Sequence, residues 1–185
     1  MEVIKTKLND CVIIRPKVFG DERGFFLETF HEERYEKLAG IKEKFVQDNH
    51  SKSTKGVLRG LHFQKTKPQG KLVTVTEGEV YDVAVDLRPN SETFGQYKSI
   101  VLSGKNKLQF YVPPGFAHGF CVLSDTAYFQ YKCTDYYDPT DESGLLWNDP
   151  DIGIDWPIVE PVLSEKDIKQ PNFSEIKDKL INGWI

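Results

Sequence analysis

The sequence is poor in sulfur: 185 residues contain three cysteines and one methionine. Cys11, Cys121 and Cys133 lie far apart and form no CxxC pair. An odd set of scattered thiols speaks against a disulfide framework or a structural zinc site and fits reduced cysteines in a cytosol. Long apolar runs are missing too, and none approaches the roughly 20 residues needed to cross a bilayer. Glu2, Lys5, Lys7 and Asp10 break up the start of the chain, so it does not read as a signal peptide. A cytoplasmic location with no membrane partner is therefore expected. Nor is basic charge in excess, with 24 Lys and Arg against 28 Asp and Glu and a net charge of −4. That balance excludes a general nucleic-acid binder, whose affinity rests on surplus cations. A small anion needs only a local cluster, which Arg15, Lys17, Arg23, Arg59 and Lys71 can supply. There is no repeat, low-complexity tract or linker. One domain over residues 1–185 is expected, long enough to bury a full core.

What is present is a series of short β-prone segments. Val12–Arg15 ends at Pro16, and Gly24–Phe30 follows a turn at Gly20–Arg23. A helix is predicted over Glu32–Ala39, with Tyr35, Leu38 and Ala39 on one face and Gly40 as its stop. Lys44–Asn49, Val57–Gln64 and Lys71–Thr76 read as strands. In Glu79–Leu87, Tyr81, Val83, Val85 and Leu87 alternate with Val80, Asp82, Ala84 and Asp86. Gln96–Leu102, Leu108–Val112, His118–Leu123 and Ala127–Thr134 continue at a spacing that predicts an antiparallel sandwich or barrel. Residues 135–155 read as a long ordered loop. Phe173, Ile176, Leu180 and Ile181 recur at helical spacing, with Asn172 and Glu175 as cap and Gly183 as stop. The predicted fold is mainly β with a few short helices, one of them C-terminal.

The stretch Gly56–Leu72 holds the densest chemistry: Arg59 and His62 three apart, then Lys71 after a glycine. A neutral imidazole has a reference pKa near 6.5 and accepts a proton at neutral pH. An isolated histidine is more often a satisfied core residue. Two neighbouring cations change that reading, because burying them without an anion is costly. Strand parity complicates it, since Leu58, Gly60, His62 and Gln64 share one face and Arg59, Leu61 and Phe63 the other. Either a bulge at Gly60 brings Arg59 and His62 to one ligand, or the strand is regular and Arg59 points outward.

Pro113-x-Gly115-x-x-His118 resembles the second motif of the cupin superfamily, double-stranded β-helix jelly rolls. The metal-binding first motif of that superfamily is absent, because Phe63-Gln64 follows His62 with no second histidine two positions on. Two histidines without a paired carboxylate make a poor metal site. The barrel is accordingly read as metal-free, with His118 as a hydrogen-bonding or anion-contacting residue. A more specific resemblance spans the chain from about residue 3 to residue 183. Its motifs are Arg23-Gly-Phe-Phe-Leu-Glu28, Phe45 to Ser51, Gly56 to Gln64, Gln69-Gly-Lys71-Leu-Val73, Pro113 to Phe120, Tyr131, and Leu163-Ser-Glu-Lys166-Asp167. Together these are similar to the dTDP-4-dehydrorhamnose 3,5-epimerase family. The loop from His62 to Lys71 is one residue shorter than in some members.

The resemblance implies a cofactor-independent isomerase acting on dTDP-4-keto-6-deoxyglucose, usually as a homodimer. It implies His62 as base, Asp167 as its partner, Lys71 at the enolate oxygen and Tyr131 as the opposite-face acid. Arg59 and Arg23 suit a diphosphate. Glu28, Gln47, Asn49, His118, Glu142 and Lys166 match family positions that contact the nucleotide sugar, and Phe19, Phe26 or Tyr137 is available to stack on thymine. The Arg23–Glu28 strand is also placed to cross to a dimer partner. Three alternatives compete with this reading: a sibling that epimerises one carbon or moves the keto group, a non-catalytic sugar-binding cupin, and a metal-dependent cupin oxygenase.

Overall fold

The computed structural model describes residues 1–184, with the side chain of Trp184 left aside. Ile185, the last residue of the expected domain, lies outside the described residues. The elements in chain order are β1 (Glu2–Lys5), β2 (Val12–Arg15), β3 (Val18–Asp21), β4 (Gly24–Leu27), α1 (Glu32–Ala39), β5 (Gln47–Thr54) and β6 (Leu58–Gln64). They continue with β7 (Lys71–Glu77), β8 (Glu79–Asp86), β9 (Tyr97–Ser103), β10 (Gln109–Val112), β11 (Phe116–Val122), β12 (Thr126–Cys133), β13 (Glu142–Gly144), α2 (Glu165–Ile168) and α3 (Phe173–Lys179).

Two antiparallel sheets make up the jelly roll. One runs β1-β2-β10-β7-β12-β5 and the other β13-β6-β11-β8-β9, while β3 and β4 pair only with each other. Between the large sheets, Val73, Val75, Val80, Ala84, Phe110, Phe120, Val122 and Phe129 form the barrel interior. The outer face of the five-stranded sheet is covered as well: Leu61, Phe63, Val83, Val85 and Leu87 pack on Phe173, Ile176 and Leu180 from the C-terminal segment. The two-sided burial of β8 follows its expected alternation, Val80 and Ala84 inward and Val83, Val85 and Leu87 outward. A third cluster seats Tyr35 and Ile41 on Val12, Ile14, Leu72 and Tyr111.

α1 has the expected bounds and ends at Gly40, whose φ of 75° is the left-handed cap. Its expected apolar face is narrower than predicted, because Leu38 is 52% exposed while Tyr35 is buried. At the other terminus the side chain of Glu175 accepts from the Asn172 backbone N–H at 2.7 Å, as the cap expectation required. Other boundaries moved. The strand expected over Gly24–Phe30 stops at Leu27, β5 begins at Gln47 rather than Lys44, and the loop over residues 135–155 contains β13. Among the described residues, no helix is long and apolar enough to cross a membrane.

Candidate active site

The site begins with an irregularity in β6. His62 pairs with His118 and Arg59 with Phe120, so three steps along β6 match two along β11. That one extra residue is a bulge, and it reverses side-chain parity across Gly60. Val57 accordingly packs on the barrel interior, Leu61 and Phe63 on the outer layer, and Arg59 and His62 line the same cavity. The regular-strand alternative, with Arg59 outward, is thereby excluded. Gly60 has a φ of 119°, and a Cβ there would lie 2.6 Å from Gly119 Cα and 2.7 Å from the His118 carbonyl oxygen. Only glycine fits so close to β11.

The cavity has a volume of about 400 Å³ and opens between the two sheets. Arg59 and His62 enter from β6 and His118 from β11; Lys71 and Tyr131 face them from β7 and β12 of the other sheet. Parity accounts for the last two: Lys71 continues the inward row of Val73 and Val75, and Tyr131 that of Ala127 and Phe129. Phe120 and Phe129 stack at 3.9 Å between ring centroids and line the cavity between these polar groups. The start of β7 is fixed by two hydrogen bonds: Gly70 N–H donates to Thr134 Oγ1 at 2.7 Å and Thr134 N–H to the Gly70 carbonyl at 3.0 Å.

His62 is bound to Asp167 of α2, 105 positions along the chain, with Nε2 and Oδ1 2.6 Å apart. Burial works against ionisation of Asp167, yet hydrogen bonds from His62 and Ser164 outweigh it and hold the carboxyl below the usual aspartate range. An ionised carboxylate only accepts, so Nε2 carries a proton in this bond, and in the neutral imidazole the lone pair is then on Nδ1. Glu142 Oε1 stands 4.0 Å from that nitrogen. Burial also opposes ionisation of Glu142, but hydrogen bonds from Lys166 and Tyr137 keep its pKa low. The Tyr137 hydroxyl donates to Glu142 Oε2 at 2.5 Å and is pushed up to about 12 by that bond. Lys166 pairs with the same carboxylate oxygen.

On the facing sheet, burial lowers the pKa of Lys71 against the pull of Cys133, Asp82 and Glu142. Burial likewise raises the phenol of Tyr131. Arg59 Nε donates to Ser53 Oγ at 3.1 Å, and the guanidinium forms no ion pair among the described residues. His118 Nε2 meets Asp82 Oδ1 at 2.9 Å. Asp82 is completely buried, its Oδ2 has no hydrogen-bond partner among the described residues, and burial raises its pKa against His118 and Lys71.

Six of the expected site residues thus share the cavity: Arg59, His62, Lys71, His118, Tyr131 and Asp167. Five more stand on its rim or on β5. Tyr137, Glu142 and Lys166 form one linked group, Gln47 Oε1 accepts from Tyr137 N–H at 2.9 Å, and Asn49 Nδ2 donates to Cys133 Sγ at 3.5 Å. Arg23, Phe26 and Glu28 are not brought to this cavity. Arg23 is held by Asp21 on the exposed β3–β4 hairpin, Phe26 is 68% exposed, and Glu28 pairs with Arg34. The residues missed by sequence are Asp82, Ser53 and Ser164. Asp82 did carry a signal, a carboxylate between Val80 and Ala84 on one face of β8. Among the described residues no group of three or more His, Cys, Asp or Glu side chains is arranged to hold a metal.

The family model described as dTDP-4-dehydrorhamnose 3,5-epimerase matches residues 5–175. The chain is 56% identical over 174 residues to the dTDP-4-dehydrorhamnose 3,5-epimerase of Shigella flexneri, covering 94% of this chain and 96% of that one. It is 53% identical to the enzyme of the same description from Escherichia coli K12, covering 98% and 100%. A crystal structure of dTDP-6-deoxy-D-glucose-3,5-epimerase from Legionella pneumophila, in complex with dTDP-4-keto-L-rhamnose, superimposes with a TM-score of 0.94 at 54% identity, covering 97% and 96%. An imidazole–carboxylate pair facing an ammonium and a phenol is what proton transfer beside a ketone requires, and with full-length identity above one half the chain belongs to the dTDP-4-dehydrorhamnose 3,5-epimerase family.

Proposed function

We propose that this protein epimerises dTDP-4-dehydro-6-deoxy-D-glucose at carbons 3 and 5 to dTDP-4-dehydro-L-rhamnose, without a cofactor, in cytosolic dTDP-L-rhamnose biosynthesis. The observation that carries the reading is the pairing of His62 with Asp167 on one wall of a cavity whose other wall presents Lys71 and Tyr131. Carbons 3 and 5 both adjoin the C4 ketone, so one base and one oxyanion partner serve both centres. Nδ1 of His62 takes the proton from carbon, and Asp167 stabilises the imidazolium that results. The electron pair moves onto the ketone oxygen, where the Lys71 ammonium meets the enolate charge. Tyr131 returns a proton to the opposite face, and solvent exchange restores both groups. The diphosphate falls to Arg59, a cation in the cavity wall whose nearest bond is to a neutral hydroxyl.

Proton NMR in deuterium oxide tests this reading. Deuterium is expected at both carbons for the wild type, whereas entry at one carbon would mean a single-centre epimerase and none would sink the enzymatic reading. Tyr131→Phe should lower epimerisation more than exchange, because proton abstraction does not need the acid on the far face.

The same reading includes a homodimer. Val18, Phe19, Phe25 and Phe26 are 43%, 52%, 62% and 68% exposed on a hairpin whose strands pair with nothing else in the described chain. A two-stranded hairpin is marginal by itself, and an apolar patch of this kind calls for a covering surface. Arg23, Phe26 and Glu28 lie on or beside this hairpin, away from the cavity of their own chain. A second copy that receives the hairpin would cover the phenylalanines and gain those three side chains. Light scattering is expected to give a dimer for the wild type and monomers without turnover for Phe25→Asp/Phe26→Asp. Turnover by a monomeric wild type would overturn this.

A further inference from the structure

We propose that Ser164 is a positioning residue for the base: it sets the plane of the Asp167 carboxylate and, through it, the ring of His62. The inference rests on the proposed role of His62. The Ser164 hydroxyl donates to Asp167 Oδ2 at 2.7 Å while Oδ1 meets His62 Nε2 at 2.6 Å, so the two oxygens have separate partners. The same hydroxyl oxygen accepts from the Asp167 backbone N–H at 3.1 Å. Ser164 therefore holds Asp167 at both its main chain and its carboxylate.

This double grip matters because α2 is four residues long. A single helical turn has little stability of its own, and the terminal torsion of an aspartate is broad. The Gly60 N–H also reaches this carboxylate, so loss of the hydroxyl donor leaves only that backbone contact beside His62 to set its plane. The segment before α2 is tied to the strand that carries the base: Val162 N–H donates to the Gly56 carbonyl at 2.8 Å, and Leu58 N–H to the Val162 carbonyl at 3.0 Å. Ser164 lies at the point where that tie becomes the helix, and it lines the cavity beside His62. Threonine has both a donor and an acceptor at this position, whereas alanine has neither.

Steady-state kinetics and deuterium exchange on Ser164→Ala, Ser164→Thr, Asp167→Asn and the double variant Ser164→Ala/Asp167→Asn test the proposal. Ser164→Ala is expected to lower kcat by about 10- to 100-fold, the scale of a misplaced catalytic group, with KM unchanged. Ser164→Thr should recover most of the loss. In the Asp167→Asn background Ser164→Ala should add little, because its effect passes through the carboxylate. Losses that multiply in the double variant, a rise in KM alone, or a threonine as impaired as the alanine would overturn the proposal. A second readout needs no turnover: the downfield proton resonance of the His62 Nε2–H bond to Asp167 should move or broaden in Ser164→Ala and persist in Ser164→Thr. An unchanged resonance in the alanine variant overturns the positioning role, whereas a wild type without exchange would overturn the epimerase reading.

Discussion

His62→Ala is expected to remove deuterium exchange at both ring carbons while leaving dTDP binding intact. A positioned general base contributes about 10²- to 10⁴-fold, and the loss should lie at the upper end because neither nearby carboxylate replaces it in both position and basicity. Glu142 is the nearest candidate, 4.0 Å from His62 Nδ1. Its second oxygen is already taken by Lys166 and Tyr137, and those hydrogen bonds lower its basicity. The substitution frees Asp167 Oδ1, but that carboxylate is buried and held by Ser164 behind the vacated ring, not where Nδ1 stood. The Arg59 guanidinium is bonded to Ser53, not to His62, so a diphosphate contact there should survive the substitution. Exchange and binding are therefore expected to separate, with dTDP affinity by calorimetry near wild type and exchange by NMR lost. Exchange at either carbon within about tenfold of the wild-type rate would exclude His62 as the base for that carbon.

Lys71→Met should cut kcat by about 10²- to 10³-fold, the usual cost of losing one group that stabilises a developing oxyanion. Methionine keeps much of the side-chain length and gives up the charge. Burial holds the Lys71 pKa below the ordinary lysine value, with Cys133, Asp82 and Glu142 pulling it back up. The catalytic form is the cation, so it is lost as pH rises through that lowered pKa, and the alkaline limb of the wild-type profile should lie below the ordinary lysine value. The variant's residual activity should lack this limb. The linkage with stability has the opposite sign to that of a paired lysine. Between the lowered folded pKa and the ordinary unfolded one, the unfolded chain binds more protons, so stability increases as pH rises through that window. At neutral pH the desolvated ammonium thus works against folding, and Lys71→Met should show no fall in melting temperature. An active Lys71→Met enzyme, or one that fails only through unfolding, would remove Lys71 from the proposed mechanism.

Parts of this site were legible from the sequence for a local reason. Alternation along β8 and β12 separates the two faces of each strand, and Tyr131 shares its face with Phe129 and Cys133. A glycine between Arg59 and His62 marked the place where parity could change, one of two alternatives, and β6 carries its bulge there. Elements shorter than their own periodicity were not legible. β13 has three residues and α2 four, too few to establish a pattern, yet they carry Glu142 and Asp167. The β3–β4 hairpin was only half recognised, since Val18–Asp21 lacks a buried face to alternate against. Leu38 was misjudged because helical spacing identifies an apolar stripe and not how far the neighbouring sheet reaches across it.

By itself the sequence determined the mainly β class, the two alternating faces of β8, the ends of α1 and the residue types able to move a proton beside a ketone. All of these depend on neighbours within a few positions. The tertiary structure makes the pairing of His62 with Asp167, 105 residues away, which was implied only by family resemblance, and it alone decided that Asp82 is buried behind His118 and that Ser164 grips the carboxylate. It also decided that Arg23, Phe26 and Glu28 lie beyond the reach of their own cavity. The reason is physical: side-chain direction follows from local backbone geometry, whereas the partner a side chain finds depends on how two sheets and a C-terminal segment close over one another.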